Sequence, residues 1–439
     1  MKYPKRSQYQ HAKSQYRVRN WPEYEAGLKK RGDLTVWLSG IASARACLRR
    51  GHRIIGIEHA DDFGGVWHPS RRYPGIQTQS PKGLYCYTDA PMPEDYPEWP
   101  SGPQVHAYLS SYADRHELRK HFRFSTRVVA MRRPSTGRGW ILTVESSGER
   151  SEHHADAVIV GTGQFSKPHR LELPGHDAFL EAGGVVRHSS ELDTDTLQPG
   201  QQVVVVGGSK SGSDIAVLAA QAGAASTTFV YRRNVWRVPY RPGGVNFKHL
   251  LYMRAQEIQF PSWAPLGLPA PLSWLFRAIA WLNFRGLEAL LTLQLGLRKW
   301  DMVPESRIED EASCALPIVT PGLFEALKTG SIVPMRSPPA RLEAGTVILA
   351  NGTSLPCSHL VFATGWRLEH PFLPQDVLQK LVEPDGLYRL HRFAVCPEVP
   401  DLGFVGTNST FCTVLSSEMV AAWLVRFLEG SLPQQPSVA

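Results

Sequence analysis

Two stretches of this chain carry residue types and spacings that could hold a dinucleotide. The sounder is Val203-Val-Val-Val-Gly207-Gly-Ser209-Lys-Ser-Gly212, an apolar run of strand character, a glycine-rich turn and the start of an amphipathic helix. Gly207 permits the tight turn, Ser209 stands where backbone must approach a pyrophosphate, and Gly212 lets helix and strand pack closely. The helix start then offers free N–H groups and a positive dipole end to the phosphates. A glycine signature by itself is weak; placed after a strand and before a helix it gains meaning. The next strand ends in Arg232-Arg233. An acid there would bind a free ribose hydroxyl, whereas two arginines suit a 2′-phosphate, favouring NADPH over NADH. The plainer reading is a solvated arginine pair.

The first stretch repeats only the second half of that design. Gly40 to Gly51 has the spacing of Gly212 to Gly223, and the apolar strand Arg53–Glu58 follows. Glu58 is the residue type that binds a ribose diol. Sliding one unit onto the other sets Thr35 opposite Gly207, Trp37 opposite Ser209, and Arg31-Gly-Asp-Leu34 opposite the four valines. This unit therefore keeps its helix and acid but lacks the strand and the first two glycines, although Leu34, Val36 and Leu38 could form a shorter strand. An indole where a pyrophosphate needs bare backbone should weaken binding there. Phe63-Gly-Gly65-Val-Trp67 comes next; its paired glycines either let backbone pass close to a flat ligand or simply make a turn.

The elements that would position these residues alternate strand and helix, as in an α/β protein with two Rossmann-like dinucleotide-binding domains, the second with a helical insertion. A Pro/Tyr-rich stretch, 67–103, is long enough to be functional or to cover a ligand. Helical pattern resumes at Val105–Arg119, and Ala157-Val-Ile-Val-Gly161-Thr-Gly163 is a strand with a second glycine turn. The expected order is a poorly ordered basic leader (1–33), a first domain (34–167 and 336–430), a second domain (168–335) and a tail (431–439). Residues 262–300, rich in Leu, Trp and Ala, read as helices inserted in the second domain near 250–300; a peripheral membrane contact is the alternative. Residues 346–366 form a hairpin-like pair ending in Phe-Ala-Thr364-Gly365-Trp, and a helix, Ser416–Leu428, closes the chain.

Composition is that of an ordinary globular protein, 42% hydrophobic and 20% charged. No span of eighteen uncharged apolar residues and no secretory leader is visible, pointing to the cytoplasm. The net charge of +8 is concentrated in residues 1–33, with nine basic against three acidic residues; the rest has 39 against 37. A solvated leader accounts for it, and no nucleic-acid partner is expected. The six cysteines have no metal or redox spacing and read as reduced and structural. No metal cluster and no Ser/His/Asp arrangement is suggested.

In order along the chain, Glu58, Gly64-Gly65-Val66-Trp67, Tyr85-Cys-Tyr-Thr-Asp-Ala-Pro-Met-Pro93, Gly161-Thr-Gly163, Gly184 to His188-Ser-Ser190, Gly207 to Gly212-Ser-Asp214 and Ala363-Thr364-Gly365 resemble the flavin-containing monooxygenase family. The resemblance runs from Gly40 to about Leu428. It implies FAD in the larger domain and NADPH in the smaller, and N,N-dimethylaniline monooxygenase-type activity. NADPH would reduce the flavin, O2 would add to form a C4a-hydroperoxide, and an amine or sulfide would take the distal oxygen. The resemblance places the family's active-site amide at Gln79, an Asn in the family and here one methylene longer.

Departures from the pattern bear on activity. The family's Phe-x-Gly-x-x-x-His-x-x-x-Tyr is here Ala182-Gly-Gly184-Val-Val-Arg-His188-Ser-Ser-Glu-Leu192, with both aromatics gone. Leu192 does not match the ending of a Baeyer–Villiger enzyme, which is the alternative reading, and His188 reads as a hinge or packing residue. The N-terminal Gln15 to Leu38 resembles the start of an insertion-sequence transposase of the IS5 type, so a fusion inside the first strand is expected. The third reading is thus a catalytically impaired remnant that binds NADP but little FAD. Substrate identity and oligomeric state are not written in the motifs.

Overall fold

Short apolar strands alternating with helices build two separate sheets, one around each glycine-rich unit, parallel except for one antiparallel edge strand in the first. The computed structural model describes residues 33–35, 38–135, 137–251, 270–312, 316–384, 386–407 and 412–432. Most of the expected basic leader, Trp37 and the tail from Pro433 lie outside the described residues.

The first sheet begins with β1 (Asp33–Thr35), helix α1 (Leu38–Arg49) and β2 (Gly56–Ile57), followed by α2 (Gly102–Arg115) and β3 (Phe122–Arg123). An antiparallel layer of β4 (Thr126–Arg132), β5 (Trp140–Ser146) and β6 (Glu149–Ala155) precedes β7 (Val158–Val160). The chain crosses at β8 (Lys167–Pro168) into α3 (His176–Glu181), β9 (Val185–His188), β10 (Gln202–Val206), α4 (Lys210–Gln221) and β11 (Ser226–Tyr231). Helices α5 (Lys248–Leu251), α6 (Ala270–Gln294), α7 (Ile308–Ala312) and α8 (Leu323–Thr329) lead to β12 (Val333–Arg336). A meander of β13 (Pro339–Glu343), β14 (Thr346–Leu349) and β15 (Ser354–Pro356) returns through β16 (His359–Phe362), and β17 (Trp366–Arg367) pairs antiparallel with β8. Helix α9 (Gln375–Leu381), β18 (Val395–Cys396), β19 (Val399–Phe404) and α10 (Thr413–Leu428) complete the order.

The first sheet runs β18-β19-β7-β1-β2-β3 and the second β12-β11-β10-β16-β9. Two sequence expectations change here. The first strand is present after all: Asp33–Thr35 lies between β2 and β7, with Leu34 opposite Gly56 and Ile159. Three residues suffice because both neighbours are themselves two or three residues long. The return to the first domain also comes later than residue 336, since β16 is hydrogen-bonded between β10 and β9. The valine run of β10 needs a partner on each side, and His359–Phe362 supplies one.

Close packing explains several residues outside the turns. Gly56 carries no Cβ, which leaves room for the Phe122 ring, and Gly403 does the same for Leu424. Helix α1 buries Ile41 and Ala44 with Val105 and Leu109 of α2 and Leu424 of α10. Polar contacts then fix α1 against α10: Ser39 Oγ lies 3.0 Å from Ser417 Oγ, and Arg50 and His52 both reach Glu429 at 2.5 Å. In the second domain Phe284 and Leu291 of α6 join Val203, Val205, Ile215 and Phe229 in one core. Each such apolar side chain contributes about 1.5–3 kcal/mol on burial. No described helix is long and apolar enough to cross a membrane.

Candidate functional site

The second turn has the geometry its residues demand. Gly207 has φ +144°, and a Cβ on it would overlap the Ala363 carbonyl at the end of β16. A Cβ on Gly212 would overlap the Gly207 carbonyl. Ser209 is the extended residue before α4, and its carbonyl accepts from Ser213 N–H at 3.1 Å. The N–H groups of Gly208, Ser209 and Lys210 have no partner among the described residues, so the helix start can serve an anion. Arg232 and Arg233 are exposed just beyond β11, and a Cβ on Gly208 would stand 3.3 Å from the Arg233 carbonyl oxygen. The backbone at Arg233 is therefore beside the turn.

Beneath the start of α4 is a buried network that sequence reasoning missed. Asp214 accepts from Tyr73 Oη at 2.8 Å, from Thr320 Oγ1 at 2.5 Å and from the Lys210 ammonium one turn earlier. Tyr73 belongs to the long loop of the first domain and Thr320 to the segment after α7, so the network ties the domains at the turn. Burial first, and then the Asp214 charge, push the Tyr73 hydroxyl well above its ordinary pKa. The i, i+4 spacing of Lys210 and Asp214 was the available signal; nothing local pointed to Tyr73 or Thr320.

The first site is assembled from more scattered pieces. Gly40 is the third residue of α1, as Gly212 is of α4. Gly161 follows β7 directly, and Gly163 has φ +64°. A Cβ on Gly406 would overlap the Ser39 hydroxyl and lie 3.6 Å from the Gly163 Cα. Gly406 and Gly163 thus approach the start of α1 closely, with the Ser39 side chain between them and the helix. Glu58 follows β2, buried, with Oε1 accepting from Ala60 N–H at 2.9 Å. Burial pushes its carboxyl up to about 7, opposed by backbone donors and by the Arg71 charge. Arg71 is itself lowered to about 10 by burial, and its guanidinium lies 4.7 Å over the Trp366 ring. Gly64 and Gly65 both have positive φ, and a Cβ on Gly64 would crowd His106. The Trp67 indole is buried and donates to Tyr85 Oη at 2.9 Å, so its ring is part of the first core.

The two crossings lie between the sites. The Gly365 carbonyl accepts from His169 N–H at 2.9 Å and lies 3.0 Å from His188 Nε2; the Thr364 hydroxyl donates to the His169 carbonyl. His188 also packs edge-on against Trp366, the contacts of a packing or hinge residue. Thr162 Oγ1 lies 3.1 Å from His370 Nε2, and burial lowers that imidazole to about 4, keeping it neutral. The long loop lies over the second domain: Gln79 Oε1 accepts from Ile318 N–H at 3.2 Å, and Trp99 packs on Tyr240 at 4.4 Å. Gln79 is exposed, leaving its amide N–H groups available.

The arrangement is two glycine-lined helix starts, one beside a buried acid and the other beside paired arginines, with an interdomain loop across them. The second fits the phosphates of a dinucleotide, because a single Cβ on Gly207 or Gly212 would fill its close approaches. Flavin-containing monooxygenase 1 of Canis lupus familiaris is 28% identical over 420 residues, covering 91% of this chain and 74% of that protein. Probable flavin-containing monooxygenase 1 of Arabidopsis thaliana is 26% identical over 430 residues, covering 89% of this chain and 81% of the relative. Among solved structures, OTEMO in complex with FAD and NADP superposes with TM-score 0.70 at 19% identity, covering 91% of this chain and 85% of that one. Cyclohexanone monooxygenase in an open form gives 0.67 at 18%, covering 91% and 87%. These structural neighbours share the fold. The family described as flavin-binding monooxygenase-like matches residues 30–438. The chain belongs to that family and is a flavin-binding monooxygenase by its family.

Proposed function

We propose that the protein transfers one oxygen atom of O2 to a soft nucleophile, an amine or sulfide, with NADPH as reductant and the second oxygen leaving as water. Domain 34–167 with 363–430 is assigned to FAD, and the intervening second domain to NADPH. Bound flavin supplies the redox chemistry, taking a hydride from NADPH and activating O2. The chain's own residues bind, orient and exclude water. Gly207, Ser209 and Gly212 hold the NADPH diphosphate, and Arg232 and Arg233 its 2′-phosphate. Gly40, Gly161 and Gly163 serve the FAD diphosphate, and Glu58 its ribose. Gln79, anchored through its oxygen, offers amide hydrogens towards the reacting centre. The observation that carries this reading is the pair of glycine cradles joined through Tyr73 and Asp214.

His188-Ser189-Ser190 and the absence of a Baeyer–Villiger ending at Leu192 favour a heteroatom over a ketone as acceptor. The test supplies FAD, NADPH and 18O2 with N,N-dimethylaniline, methyl phenyl sulfide or cyclohexanone. Labelled N-oxide or sulfoxide with matched NADPH consumption is expected; labelled lactone would move the assignment to the Baeyer–Villiger class. The remnant reading has its own observation. In the sequence, Val36 and Trp37 stand before α1 where Gly208 and Ser209 stand before α4. No oxygenation of any acceptor at saturating FAD would support it.

A further inference from the structure

Arg237 is a cation buried directly behind the NADPH turn, and nothing in the nucleotide motif calls for it. Its residue is 2% exposed. One terminal nitrogen donates to the Gly208 carbonyl at 2.6 Å and the other to the Val235 carbonyl at 3.3 Å, while Nε has no partner. Its guanidinium carbon lies 5.9 Å from the centre of the Phe229 ring. No carboxylate forms an ion pair with it among the described residues, in contrast to Lys210, which is neutralised by Asp214. Burial lowers its pKa to about 10, with Tyr231 and Glu311 acting the other way, so it remains charged at neutral pH. Burying a cation with only carbonyl partners is costly unless the charge serves another group.

The peptide plane supplies the link. In a trans peptide the carbonyl and the following N–H point in opposite directions. Drawing the Gly208 oxygen towards Arg237 therefore turns the Ser209 N–H away from the protein interior, and that N–H has no acceptor among the described residues. Gly208 can be drawn in this way because its Cα lies against Tyr231, where a Cβ would stand 3.0 Å from the Tyr231 Cβ.

Resting on the NADPH assignment, we propose that Arg237 is a positioning residue for the cofactor diphosphate: it orients the Gly208–Ser209 peptide and places an uncompensated positive charge behind the turn. It does not touch the cofactor and does not read the 2′-phosphate. That division of labour separates it from Arg232 and Arg233. NADP+ and NAD+ share the diphosphate, whereas 2′-AMP carries the 2′-phosphate without it.

The test titrates the full-length protein with NADP+, NAD+ and 2′-AMP by calorimetry, comparing wild type with Arg237→Met, Arg237→Lys and Arg232→Ala. Arg237→Met should weaken NADP+ and NAD+ by the same factor, about tenfold or more as for loss of a charge-assisted contact, and leave 2′-AMP binding unchanged. Arg237→Lys should recover part of the loss, since an ammonium keeps the charge and one donor. Arg232→Ala should weaken NADP+ and 2′-AMP but not NAD+. Unchanged NADP+ binding in Arg237→Met, or loss of 2′-AMP in step with NADP+, would overturn the proposal. If Arg237→Met does not fold, the lysine variant decides, and full NADP+ loss there would equally overturn it. Failure of the wild type to bind NADP+ would instead sink the NADPH assignment itself.

Discussion

The two units in which a strand leads into a glycine-bearing helix differ in the residues between strand and helix. In the second, β10 pairs with β11 and β16 over its apolar length, and three small residues carry the chain to α4. In the first, the described residues of β1 pair with β2 and β7 over two and three positions, and the sequence before α1 is Val36-Trp37. Thr35 pairs with Val160 before Gly161, as Val206 pairs with Phe362 before Ala363. The helices, by contrast, keep Gly40 and Gly212 at the same third position. So the first unit differs in carrying Val36 and Trp37 where the second carries Gly208 and Ser209, while a paired strand and a helix are present in both. A parallel sheet needs a hydrogen-bonding partner more than a particular sequence, whereas a diphosphate turn needs bare backbone at fixed positions.

The largest effect should come from damaging the sound turn. Gly212→Val puts side-chain atoms into the Gly207 carbonyl, and NADP+ affinity should fall by about a hundredfold or more, roughly 2.7 kcal/mol, while FAD affinity is unchanged. Parallel calorimetric titrations check both halves of that statement. Repairing the damaged turn is the converse experiment. Replacing Val36-Trp37 by Gly-Ser supplies the small residues that precede α4, and FAD affinity should rise about tenfold, roughly 1.4 kcal/mol. Fluorescence quenching of added FAD reads it; no gain would mean that the bulky pair is not what limits the first site.

Smaller effects distinguish the charges. Arg232→Ala should weaken NADP+ about tenfold while leaving NAD+ alone, the signature of a 2′-phosphate contact. Glu58 offers a pH test on the other side. Its carboxyl is raised from 4.5 to about 7, so the fold favours the protonated form. The associated stability is fully present below about 4.5 and is lost as pH rises through 7. Without cofactor, Glu58→Gln should therefore match wild type in melting temperature at pH 4.5 and exceed it at pH 8. Equal melting temperatures at both values would remove the buried-acid account of the first site.

How far the sequence was legible follows the same contrast. The second unit could be read because its glycines, valines and helix follow one another within one unbroken stretch. The full first strand was expected to be missing because Arg31-Gly-Asp-Leu34 stands where the second unit has four valines, with Leu34, Val36 and Leu38 as a possible shorter substitute. The place of Asp33–Thr35 is set by β2 and β7, which come from distant parts of the chain and were invisible locally. For the same reason the crossing after Phe362 was placed too early: 346–366 reads as a local hairpin, yet its last strand is held by β10 and β9. The glycines and Glu58 announced themselves by type and spacing. Tyr73, Thr320 and Arg237 did not, because a buried polar side chain is defined by partners far away in sequence.

The central claim is that the two sites now differ in strength: a well-formed NADPH turn beside a FAD site that carries Val36-Trp37 in place of small residues, in an enzyme that still works when flavin is supplied. The direct measurement is titration of flavin-stripped full-length protein with FAD and, separately, NADP+, followed by NADPH oxidation at saturating FAD. The account predicts that NADP+ binds at least about tenfold more tightly than FAD, that FAD is lost on gel filtration, and that added FAD restores NADPH oxidation. Stoichiometric FAD that survives gel filtration would contradict it.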